Sequence, residues 1–120
     1  MPRTHKDLDV WKKSIDFVTH IYRLTEDFPK SEVYGLTSQI RRCAVSIPSN
    51  IAEGAARKSK NEFRQFLYIA LSSSAELETQ IIIPKNLNYL KETDADIVFE
   101  TLNIISKMLQ GHIKSISLNQ

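Results

Sequence analysis

Residues 35–71 read GLTSQIRRCAVSIPSNIAEGAARKSKNEFRQFLYIAL, and their spacing decides the fold class. Leu36, Ile40, Cys43, Ala44, Ile47, Ile51 and Ala55 recur at steps of three and four, which places them on one face of a helix. Pro48 falls inside this run. Its ring leaves the Ala44 carbonyl without a helical donor, but the stripe continues in phase beyond it, so a kink rather than a stop is expected. Ser31 is the expected cap of this helix, and Gly54, Ala55 and Ala56 its expected end. Ser59-Lys60-Asn61-Glu62 then has the pattern of a capping box, which opens a new helix. Phe63, Phe66, Leu67, Ala70, Leu71, Leu77 and Ile81 form its stripe, and Pro84 bends or ends it.

The same period extends outward in both directions. Upstream, Asp7 or Asp9 is the expected cap of a helix with Leu8, Trp11, Ile15, Val18 and Tyr22 on one face and Ile21 at its edge. Pro29 stops it near Phe28, because the residue before proline avoids helical geometry. Downstream, Thr93 with Asp96 caps a stripe of Ile97, Leu102, Ile105, Met108, Leu109, Ile113 and Ile116. Helices of about 20 residues are roughly 30 Å long, and short connections favour antiparallel neighbours. The expected fold is all-α: one domain over residues 1–120, an antiparallel up-down-up-down four-helix bundle.

Composition agrees with that class. The chain has 120 residues, 42% hydrophobic and 25% charged, enough apolar content for one core and too little length for two domains. A single cysteine excludes an internal disulfide. The charged opening MPRTHKDLDV lacks the apolar segment of a secretory signal, and the longest uncharged run, Gln65 to Ala75, is eleven residues, short of the roughly 20 that span a bilayer. A cytoplasmic protein without membrane contact is expected.

The second helix carries more small and apolar groups than a lone bundle uses. Val45, Pro48, Ala52 and Ala56 form a second line beside the core stripe. Tyr68, Ala75 and Ile82 do the same on the third helix. These lines fit either a wide core or a contact between subunits. A third, polar face holds Gln39, Arg42, Ser46, Asn50, Glu53 and Arg57.

Net charge is +2, divided as +4 over residues 1–64 and −2 over residues 65–120. Arg57, Lys58, Lys60 and Arg64 gather at the turn between the second and third helices. A helix N-terminus at the same place adds donor amides and the positive end of a dipole, so phosphate would be attracted there. Catalytic patterns are missing. The sequence has no H-E-x-x-H, no C-x-x-C and no phosphate-binding glycine loop, and Cys43 sits on an apolar stripe as a small hydrophobe. No enzyme activity, cofactor or metal is expected.

Gln39-Ile40-Arg41-Arg42, followed by Ser46-Ile47-Pro48 and Asn50-Ile51-Ala52-Glu53-Gly54, resembles the signature of the 23S ribosomal RNA intervening-sequence proteins. Leu8-Asp9-Val10-Trp11-Lys12 and Ala75-Glu76-Leu77-Glu78-Thr79-Gln80 are also similar. Cys43 stands where that pattern usually has alanine, and Ser72 where it usually has glycine. The resemblance implies a bacterial four-helix bundle that assembles as a homopentameric ring around a channel. A related accessory protein of diversity-generating retroelements binds nucleic acid and a reverse transcriptase. On this basis Val45, Ser46, Pro48, Asn50, Ala52, Glu53 and Ala56 are expected at the subunit interface. Arg57, Lys58, Lys60 and Arg64, with Arg41 and Arg42 as contributors, are expected to bind RNA or DNA. A scaffold for a polymerase-type protein, without direct nucleic-acid contact, is the alternative.

Overall fold

The computed structural model describes residues 4–118. Four helices account for most of them: α1 (Asp9–Thr25), α2 (Leu36–Ala55), α3 (Lys60–Asn86) and α4 (Glu92–Leu118). No strand occurs among the described residues. Each helix packs on the next and α1 closes against α4, while the backbones of α1 and α3, like those of α2 and α4, stay more than 8 Å apart between Cα atoms. Among the described residues no helix is long and apolar enough to cross a membrane.

The core forms where the stripes converge. Ile21, Ile40, Ile47, Ile51, Leu67, Leu77, Ile81, Leu102, Ile105 and Leu109 are essentially without exposed surface. At roughly 25 cal/mol per Å² of apolar area, burying such side chains is the main favourable contribution to folding. The α2 stripe lies where its period places it, but α1 is rotated from the expected phase. Its buried line is Val10, Ser14, Phe17, Ile21 and Thr25, while Ile15 and Tyr22 remain 38% and 40% exposed. Two hydroxyls make the difference. Ser14 Oγ donates to the Trp11 carbonyl at 2.8 Å and Thr25 Oγ1 to the Ile21 carbonyl at 2.9 Å. Each is satisfied within its own helix, so burial leaves no unpaired polar group.

Helix ends differ from expectation for equally local reasons. Asp7 does not cap α1; with Thr4 it closes a capping box around a short 3-10 turn, His5–Asp7, and Leu8 precedes α1 without a side-chain cap. Ser31 belongs to a second 3-10 turn, Lys30–Glu32. The Glu32 carboxylate instead accepts from the Leu36 amide at 3.3 Å, at the start of α2. Pro48 does not stop α2. Pro84 lies buried in the last turn of α3, and Asn88 (φ 61°) then reverses the chain, a left-handed geometry that asparagine tolerates.

Gly54 is set by packing rather than by a helix end. A β-carbon there would lie 2.7 Å from Phe66 Cβ and 3.2 Å from the Phe63 carbonyl oxygen. Glycine therefore lets α2 and α3 approach closely beside their connecting turn. At the far end of α2, Val33 and Tyr34 project from the loop, Tyr34 with 96% of its surface exposed.

Candidate nucleic-acid interface and subunit face

The turn between α2 and α3 is short because α2 ends at Ala55 and Ser59 already caps α3. Ser59 Oγ accepts from the Glu62 amide at 3.1 Å and donates to the Glu62 carboxylate at 3.2 Å. This tight turn brings Arg57, Lys58, Lys60 and Arg64 to one end of the molecule. Arg57 and Arg64 are held by neighbouring side chains. The Arg57 guanidinium pairs with Glu53 at 3.0 Å and Glu62 at 3.9 Å, and lies 4.9 Å from the centre of the Phe66 ring. These pairs are half exposed, so they orient the side chain more than they stabilise the fold. Arg64 donates to Ser117 Oγ at 3.2 Å and to Asn61 Oδ1, tying the start of α3 to the end of α4. Lys58 and Lys60 are exposed.

Arg41 and Arg42 lie elsewhere. They are about 15 residues before Arg57 along α2, or roughly 22 Å at 1.5 Å per residue. Arg41 is committed to α1: its Nε donates to Thr25 Oγ1 at 2.8 Å, a second nitrogen to the Tyr22 carbonyl at 3.3 Å, and the guanidinium lies 4.6 Å from the centre of the Tyr22 ring. Sequence spacing gave no sign of this contact, because its partners lie 16 and 19 residues away. Arg42 is exposed beside a cleft between α2 and α3.

That cleft, about 460 Å³, is lined by Gln39, Arg42, Cys43, Ser46, Ser73, Glu76 and Gln80. Part-buried hydrogen bonds join residues along its walls. Ser46 Oγ and Ser73 Oγ are 2.9 Å apart, and Asn50 Nδ2 donates to the Ser46 carbonyl at 2.8 Å and to Ser46 Oγ at 2.9 Å. Within α2 the Asn50 side-chain amide serves Ser46, and the Ser46 hydroxyl joins α2 to α3. The Cys43 thiol donates to the Ser73 carbonyl at 3.1 Å. Burial, followed by the charge of and a hydrogen bond with Glu76, pushes it up to about 12, so at neutral pH it is a thiol and a poor nucleophile.

The remaining expected interface positions divide by exposure. Pro48 is buried within the chain itself. Val45, Glu53 and Ala56 are exposed, and Ala52 is half-buried. On α3, Tyr68 and Ile82 keep 52% and 44% of their surface, as do Ile69 and Ile83 at 46% each. The last two were not expected from the sequence, since they lie off both lines read there.

Residues 6–111 match the family described as 23S rRNA-intervening sequence protein. A solved structure of a protein with unknown function, from the S23 ribosomal protein family of Bacteroides thetaiotaomicron, is similar at a TM-score of 0.80 and 25% identity. The match covers 88% of this chain and 95% of that one. No curated protein matches.

Proposed function

The chain belongs to the 23S rRNA-intervening sequence protein family, and from that premise we propose that it is a non-enzymatic, ring-forming bundle that binds RNA or DNA through its basic end. The observation that carries the reading is the gathering of four cations at one tight turn. Arg57, Lys58 and Lys60 are exposed beside the N-terminus of α3, where helix amides and dipole also favour phosphate. The up-down order is supported at the same end, where Arg64 at the start of α3 reaches Ser117 at the end of α4. Leu8, just before α1, shares a hollow with Met108 and Gly111 of α4. Assembly, with a pentamer as the family-based expectation, is supported by exposed Val45, Tyr68 and Ile82. In a ring the turn repeats around one rim, so weak phosphate contacts add. A cytoplasmic setting fits this role.

Fluorescence anisotropy with a short RNA hairpin and a DNA duplex tests the proposal. Log affinity should fall against log salt by about 0.7–0.9 per neutralised phosphate. Lys58→Ala with Lys60→Ala should weaken binding across sequences and flatten that slope. Binding that is indifferent to salt and to both substitutions would overturn it.

The exposed Tyr34, far from the basic turn, favours one second reading: a scaffold that docks a protein such as a polymerase. Recovery of such a partner from nuclease-treated lysate, lost on Tyr34→Ser, would support it.

A further inference from the structure

α2 carries a polar face that neither the core nor the basic turn employs. Gln39, Arg42 and Ser46 recur on it at steps of three and four. Across the cleft α3 answers with Ser73, Glu76 and Gln80, again three and four apart. With Cys43 these side chains line about 460 Å³, within the size range of small-molecule sites. No aromatic ring and no aliphatic side chain is among them, so the cleft has little to offer an apolar guest.

Its buried members are already bonded. The Cys43 thiol is held by the Ser73 carbonyl at 3.1 Å, and the Ser73 hydroxyl meets that of Ser46 at 2.9 Å. The groups nearer solvent are not. Among the described residues Arg42 has neither a hydrogen bond nor an ion pair, although Glu76 lines the same cleft from the facing helix. Glu76 accepts from Gln80 Nε2 at 3.4 Å. Only the NH2 of an amide can face a carboxylate. The Gln80 carbonyl is therefore turned away from Glu76, and it lies buried without a donor.

The cleft thus has a cationic, donor-bearing wall on α2 and an anionic, acceptor-bearing wall on α3. A lone anion drawn by Arg42 is opposed by Glu76, and a lone cation meets the reverse. A small zwitterion suits both walls. Its carboxylate can take the guanidinium fork at two points. Its ammonium can donate to Glu76 and, after a turn of the half-buried Gln80 side chain, to the carbonyl that lacks a donor. We infer that the α2–α3 cleft binds a free α-amino acid with a small side chain, its carboxylate on Arg42 and its ammonium on Glu76 and Gln80. Arg42 stands about 22 Å along α2 from Arg57, so this site is separate from the basic turn and does not depend on nucleic-acid binding there.

Backbone-amide NMR of the full isotope-labelled chain tests the site. Glycine and L-serine are the probes; acetate and methylammonium, each bearing one of the two charges, are the controls. Both amino acids should give saturable shifts at the amides flanking Arg42 and Glu76, with millimolar midpoints because the charged walls are exposed to water. Neither control should saturate in that range. Arg42→Gln and Glu76→Gln, both at exposed positions, should each weaken binding about tenfold while leaving the helical circular dichroism unchanged. Shifts that stay linear with concentration would overturn the inference. So would saturable shifts confined to another part of the chain, or native affinity in either variant. An acetate response equal to that of glycine would overturn it as well, leaving a simple anion contact at Arg42.

Discussion

At the residue scale, Cys43 shows how place overrides chemistry. Its thiol donates to the Ser73 carbonyl and is pushed up to about 12 by burial and Glu76. In the unfolded chain the thiol ionises near 8.5. The folded state therefore holds its proton more tightly. That contribution to stability is fully present below pH 8.5 and is lost as pH rises toward 12. Two results should follow. Native protein at pH 8 should resist a thiol reagent that labels urea-unfolded protein fully, and urea midpoints should decline above about pH 9 less steeply in Cys43→Ala than in the native chain. Rapid labelling of the folded protein would show that Cys43 is accessible. Arg41 makes the complementary point: an arginine within a basic dipeptide reads as a free charge, but this one joins α1 to α2.

At the element scale, Gly54 sets how closely α2 approaches α3. Alanine would put a methyl 2.7 Å from Phe66 Cβ, with the Phe63 backbone at 3.2 Å preventing an easy retreat. Gly54→Ala should cost about 1–3 kcal/mol in urea unfolding, the usual penalty of overpacking, although alanine is the better helix former. A stabilised variant would show that the seam can yield. Helices 2 and 3 were legible in the sequence because their apolar residues dominate the core stripes. α4 was legible from Leu102 onward, but at its start Ala95 and Val98 are buried while Ile97 is 51% exposed, and the helix already begins at Glu92, ahead of the expected Thr93 cap. The rotation of α1 was not legible, because Ser14 and Thr25 count as polar in any pattern and yet are buried once their hydroxyls bond within the helix. The starts of α1 and α2 were misread for a related reason. Thr4 serves the 3-10 turn ahead of α1, which has no side-chain cap of its own, and Glu32 serves the start of α2 from across the expected boundary.

At the scale of the whole molecule, an elongated body of 46 × 23 × 19 Å keeps unusual apolar surface along its length. The candidate site was legible only in part: the turn could be located from Ser59 and Glu62, and the i,i+4 spacing of Glu53 and Arg57 fits their ion pair, but the contacts of Arg57 with Phe66 and of Arg64 with Ser117 join residues far apart in sequence. Ala52 lies half-buried on the α1 side of α2, in line with Arg41 and Val45. Ala52→Arg should therefore lower the assembled mass while leaving the helical circular dichroism nearly unchanged. Light scattering beside the spectrum checks this, and an unaltered mass would place Ala52 outside the contact.

The α2 helix sets the lysines of the turn and the bare phenol of Tyr34 about 30 Å apart, on opposite tips of the rod. A ring in which such rods stood parallel to its axis would be a disc with unlike sides, one cationic and the other aromatic. It would settle on a polyanion in a single orientation, leaving the aromatic side turned outward to receive whatever comes next.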